Sequence, residues 1–144
     1  MPCINRMTRY GPFLITLGFS NFTTSTGNTF KLALYDNTPS FTAATTAYTT
    51  TNEVAASGSY VAGGGTLTKV TPISSGTTAF TDFADISFTT ATITAYGAMI
   101  YNDTATGNPA VAILDFGGAK TSTSGTFTII FPAATATGAI IRIA

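Results

Sequence analysis

Apolar residues recur at every second position in several short stretches of the chain, and Gly, Pro, Asn and Asp separate those stretches. A period of two is the mark of a strand with alternating faces. Phe30, Leu32 and Leu34 alternate with Lys31, Ala33 and Tyr35, and Asp36-Asn37-Thr38-Pro39 ends that strand, because Asn and Asp form side-chain turns and Pro lacks the donor a ladder needs. Ile93 to Tyr101 places Ile93, Ala95, Gly97, Met99 and Tyr101 on one face and Tyr96, Ala98 and Ile100 on the other. Both faces are mostly apolar, which predicts a central strand covered on both sides. A loop follows over Asn102–Pro109. Ala110 to Phe116 then resumes as a strand, with Val111 and Ile113 opposing Ala112, Leu114 and Phe116, and the two strands read as a hairpin.

Gly117-Gly118 is expected to end that strand and Lys120 to Ser124 to form a polar break before Gly125 to Phe131 alternates again. Ala139 to Ala144 is a last short strand carrying Ile140, Ile141 and Ile143. Leu67 to Ile73 and Ala79 to Phe88 supply two or three more, the latter interrupted near Asp82 or Asp85. Phe41 to Ser57 fits a short helical turn or an extended loop equally well, since its alanines permit a helix and its threonines oppose one. Gly58 to Gly65 reads as a loop, with Gly63-Gly64-Gly65 as its flexible tip. These segments predict an all-β fold: a single-domain β-sandwich or jelly roll of about seven or eight antiparallel strands over residues 23–144, with residues 1–22 as an N-terminal arm or extension.

Composition sharpens this picture. Only 8% of the 144 residues are charged and the net charge is zero, against roughly 25% charged in an ordinary soluble domain. Threonine, about a fifth of the chain, supplies the polarity and favours pleated structure, being β-branched. A surface with so few charges predicts cover by neighbouring molecules. Arg6, Arg9, Lys31, Lys69, Lys120 and Arg142 are scattered and form no basic stripe, so no nucleic-acid partner is expected. No stretch approaches the roughly 20 apolar residues of a bilayer-spanning helix, so no membrane partner is expected either. Two arginines before Phe13-Leu14-Ile15-Thr16-Leu17 loosely imitate a signal peptide, but the run is short and Gly11, Pro12 and Gly18 interrupt it.

The chain contains no histidine and one cysteine, Cys3. Imidazole-based catalysis and a Cys/His metal site are thereby excluded, and no intrachain disulfide can form. Glycoside hydrolysis needs only two carboxylic acids, and Asp82 with Asp85 is the candidate pair, along with Asp103, Asp115, Asp36 and Glu53. Each has a plainer role in a turn or strand break. Asp82 and Asp85 also lack the dense spacing of a calcium loop. The expectation is no catalytic, cofactor-binding or metal-binding residue, no cofactor, and no enzyme. Tyr35, Tyr48, Tyr60, Tyr96 and Tyr101 could stack on sugars or bases, although Tyr96 and Tyr101 read as core or contact residues of a central strand.

Several segments taken in order, Thr51-Asn52-Glu53-Val54, Gly58-Ser59-Tyr60, Gly63-Gly64, Ala79 to Asp85, Ala95 to Asn102, Ala110 to Gly117, Gly125-Thr126-Phe127 and Ala139 to Ile143, are similar to a family of small virion structural proteins of tailed bacteriophages. The resemblance covers residues from about Phe30 onward, and it implies membership of the particle more than a position in it. Together with the low charge, it leads to an expected function as a capsid cement or decoration protein on the outer surface of the phage head. The expected partners are the major capsid protein and copies of the chain itself, as a homotrimer. Pro2 to Phe22 and Ala139 to Ala144 would contact neighbours by strand addition. The alternative is a tail or tail-fibre component that binds a host-surface glycan through the Gly-rich loop and Tyr60.

Overall fold

The computed structural model describes residues 20–22, 27–36, 41–42 and 44–144. Residues 1–19 of the expected arm lie outside that set. Seven strands form two antiparallel sheets, and no helix occurs among the described residues. The strands are β1 (Phe30–Tyr35), β2 (Gly65–Thr66), β3 (Ile73–Ser75), β4 (Thr78–Thr81), β5 (Ile86–Asn102), β6 (Ala110–Ile129) and β7 (Ile141–Ile143). One sheet has the order β2-β1-β5-β6 and the other β3-β4-β7. The expected all-β fold is thus what the chain adopts.

The larger sheet is covered on both faces, as the doubly apolar strands predict. Phe30, Leu32 and Leu34 of β1 join Phe88, Ile93 and Ile100 of β5 and Phe127 and Ile129 of β6 in the main core, which Ile141 of β7 and the connectors at Phe83 and Phe131 close. The opposite face carries Ala33, Tyr35, Met99, Tyr101 and Ala110, under Phe41 and Tyr48. The segment that supplies this cover is extended and held by bridges from Ala47 to Pro109 and from Glu53 to Tyr35. Of the two options for Phe41 to Ser57, the extended one is realised, and its backbone pairs outward at several points, Val54 N–H with the Leu34 carbonyl and Tyr48 N–H with the Asn108 carbonyl. Phe22 stacks on Phe30 with ring centroids 4.6 Å apart, so the body reaches back to that residue.

Three departures from the sequence pattern stand out, and the first two share one cause, the β-bulge. First, β6 is a single 20-residue strand rather than two strands divided by Gly117-Gly118 and a polar break. Gly97 pairs with Asp115 and Ala95 with Lys120, so four residues of β6, Phe116 to Ala119, face one residue of β5. Gly117 (φ +68°) and Gly118 (φ +138°) supply the backbone angles for that excursion. Second, alternation in β5 shifts phase. Ala91, Ile93 and Ala95 enter the same core as Ala98 and Ile100, because the irregularity between Ala95 and Gly97 moves the inward positions from odd to even. Third, Leu67 to Ile73 is mostly not a strand. Leu67 N–H donates to the Phe30 carbonyl at 2.8 Å and Val70 N–H to the Asp82 carbonyl at 2.8 Å, so the segment crosses from one sheet to the other.

The bulges also curl the hairpin. Phe116 and Phe127 lie eleven positions apart, about 36 Å in a straight strand, yet their ring centroids are 6.5 Å apart.

Candidate functional site

Two regions concentrate polar or exposed chemistry: a buried tyrosine–carboxylate network under the Gly-rich loop, and the outer edge of β6.

Glu53 stands at the centre of the first. Its Oε1 accepts hydrogen bonds from Tyr60 Oη (2.8 Å) and Gly63 N (2.7 Å), and its Oε2 accepts from Tyr48 Oη (2.5 Å). Tyr60 Oη in turn accepts from Leu34 N at 2.9 Å, and Tyr101 Oη donates to the Gly63 carbonyl at 2.6 Å. Tyr35 Oη donates to the Thr49 carbonyl at 2.7 Å, and the Tyr48 and Tyr101 rings stack at 4.5 Å. Gly64 has φ +79°, and a Cβ there would lie 1.9 Å from the Leu32 carbonyl oxygen, so only glycine lets the loop lie this close to β1. The triple glycine is therefore a close-packed bridge, correcting its expected role as a flexible tip. Glycine serves here both the positive φ of Gly63 and Gly64 and the close approach at Gly64 and Gly65.

Desolvation by burial pushes the Tyr35, Tyr48 and Tyr60 phenols well above the ordinary tyrosine range, and the nearby Glu53 charge adds to it. Burial, with Asp103 and Glu53 behind it, raises Tyr101 to about 12. Tyr60 is 0% exposed. It presents no ring face for a sugar, so the glycan reading loses the residue it named. Tyr101 is buried as expected, whereas Tyr96, expected in the core or a contact, is 37% exposed.

The candidate carboxylate pair is divided between two backbone anchors. Asp82, 0% exposed, accepts from Phe83 N at 2.8 Å through Oδ1 and from Ile140 N at 3.1 Å through Oδ2. Asp85 Oδ1 accepts from Phe131 N at 2.8 Å. Both acids tie the segment after β6 to the β4–β5 connection. Asp115 caps Gly117 N at 2.8 Å, and Asp103 pairs with Lys31 at 3.1 Å. Among the described residues, no three His, Cys, Asp or Glu side chains come together as a metal site would require. Ala139, just before the final strand, and Ile141 within it are buried, and the exposed Arg142 donates to the Thr137 carbonyl at 2.7 Å.

The second region was not singled out by sequence reasoning. Among the described residues β6 is the edge of its sheet, and along it runs an open groove of about 440 Å³ lined by Phe116, Lys120, Phe127, Ile129, Ile130 and three threonines. Ile130 is 76% exposed. The available signal was the uncharged run Gly125-Thr126-Phe127-Thr128-Ile129-Ile130-Phe131, strongly strand-forming on both faces. Beside the groove the outer surface of the hairpin is hydroxylic: Ser87 and Thr128 share a 2.8 Å hydrogen bond, and Thr94 pairs with Thr121 across the strands. The surface combines hydroxyls with the exposed Ile130 side chain. Comparison with family models, curated proteins and solved structures finds no match to this chain.

Proposed function

We propose that this chain is a structural protein of a tailed-bacteriophage particle, a decoration protein that binds the outer face of the head in many copies and stabilises it. Its partners on this reading are the major capsid protein and, in a trimer, further copies of itself. The observation that carries the proposal is the outer side of β6, among the described residues a long, nearly uncharged sheet edge flanked by threonine hydroxyls and exposed Ile130. An isolated domain normally blunts such an edge with charge or covers it, and a lattice of neighbours would supply the cover. The residue order resembling small phage virion proteins supports the same reading.

Cryo-EM of intact particles tests it. Density for this chain at regular positions on the outer shell is the expected result, and its absence from the shell would end the idea. Labelling confined to the tail, with binding of the purified protein to a glycan array, would instead favour a host-binding tail component.

A further inference from the structure

Lys120 stands apart from the other cations of the described body. Lys31 pairs with Asp103 at 3.1 Å, Lys69 donates to the Asn28 carbonyl at 2.6 Å and Arg142 to the Thr137 carbonyl at 2.7 Å. Lys120 has no ion-pair or hydrogen-bond partner among the described residues. It lines the groove of about 440 Å³ along β6, which falls in the size range, about 300–1,000 Å³, of sites that accept ligands.

The rest of the lining suits an extended peptide. The Phe116 and Phe127 rings, 6.5 Å apart, offer an apolar seat, Thr121, Thr126 and Thr128 offer hydroxyls, and the outer side of β6 has no partner strand among the described residues. A strand laid there gains main-chain hydrogen bonds, while its alternating side chains meet the apolar seat and the hydroxyls in turn. No carboxylate lines the groove, so a strand bearing one carboxylate is its electrostatic complement.

That carboxylate belongs to a different protein rather than to a second copy. All six acids of the chain are among the described residues, and five are engaged within it: Glu53 by two phenols and Gly63 N, Asp82 and Asp85 by backbone N–H groups, Asp103 by Lys31, and Asp115 by Gly117 N. The sixth, Asp36, directly follows β1, an interior strand that cannot be offered to another molecule.

We propose that the β6 groove takes one extended strand of a partner protein, added to the sheet, with a carboxylate against Lys120 and an apolar side chain over Phe116 and Phe127. This deepens the proposed function, on which the identity of the partner rests: on that reading the strand belongs to the major capsid protein and is the cover that the open edge requires.

Titration of the full chain with a blocked hexapeptide of alternating valine and threonine carrying one central glutamate, followed by amide NMR shifts, tests the groove. Shifts should centre on Phe116, Lys120 and Gly125–Ile129. At low salt the glutamate peptide should bind about fivefold tighter than its glutamine counterpart, the worth of one exposed ion pair. Lys120→Gln should abolish that preference and Lys120→Glu should transfer it to a lysine peptide; Lys120 is exposed, so both variants keep the fold. Equal affinities for the two peptides, shifts elsewhere or no binding would overturn the proposal. So would tighter binding of an oligogalacturonate at the same amides, which would assign the groove to an acidic glycan, or a dimer of the chain alone that Lys120→Gln dissociates, which would assign it to a second copy. Adsorption of the full chain to phage heads stripped of it separates this inference from the function. Selective peptide binding without adsorption refutes the head-surface reading and leaves the groove assigned, whereas adsorption indifferent to Lys120→Gln, without peptide selectivity, refutes the groove alone.

Discussion

Glu53 shows how a single carboxylate can hold a loop. Three donors converge on it, two of them the Tyr48 and Tyr60 phenols, and the Tyr60 oxygen also accepts the backbone N–H of Leu34. Tyr60→Phe would remove one donor from Glu53 and leave the Leu34 N–H buried without an acceptor. An unpaired buried polar group costs about 1–3 kcal/mol, so urea denaturation should show the variant destabilised by that order with an unchanged m-value. The same network predicts an alkaline transition. Each of these phenols holds its proton more tightly when folded than the ordinary value near 10 found in an unfolded chain. Their contribution to stability is therefore complete below about pH 10 and is lost as pH rises through the folded values, from about 12 for Tyr101 upward. Absorbance at 295 nm should report ionisation of Tyr35, Tyr48, Tyr60 and Tyr101 together with the loss of β-sheet circular dichroism, not ahead of it.

Among the elements, the connection between β4 and β5 does the joining. Asp82 accepts backbone donors from its own connection and from the approach to β7. Asp82→Ala would strand both N–H groups and is expected to cost about 2–5 kcal/mol, measured as a lowered urea midpoint, with β4–β7 amides exchanging fastest. The strand content of the chain was legible because alternation in Phe30–Tyr35 and Ile93–Tyr101 reports a pleated, doubly covered strand directly. Strand length was not legible. Gly117-Gly118 and the polar run after it carry the usual signs of a terminus, and only pairing with β5 turns them into a bulge. The phase of β5 failed for a related reason, since nothing in Ala95-Tyr96-Gly97 announces that one position is skipped. The tyrosine network was legible only as a set of phenols: sequence spacing does not show that Glu53, seventeen positions beyond Asp36, would sit opposite Tyr35. The β6 groove escaped notice because it exists only once the strand has curled enough to bring Phe116 to Phe127.

Across the whole molecule, charge plays a small part in cohesion. Lys31–Asp103 is the one ion pair among the described residues, and both side chains are partly exposed. Such a pair is worth at most about 1 kcal/mol and is screened by salt. Unfolding free energy should accordingly change by less than about 0.5 kcal/mol between 0.05 and 0.5 M sodium chloride, followed by chemical denaturation. The fold instead depends on packing and on the long β5–β6 hairpin, whose free ends, Ile86 and Ile129, lie opposite one another. A hairpin of this kind resists load unevenly: tension that pries those two ends apart breaks one rung at a time, like a zipper. Asp85 sits directly before the first tooth, and its hydrogen bond to Phe131 N spans the opening. That carboxylate is a zipper stop, so opening of the hairpin from this end has to release its hydrogen bond before the first rung can part.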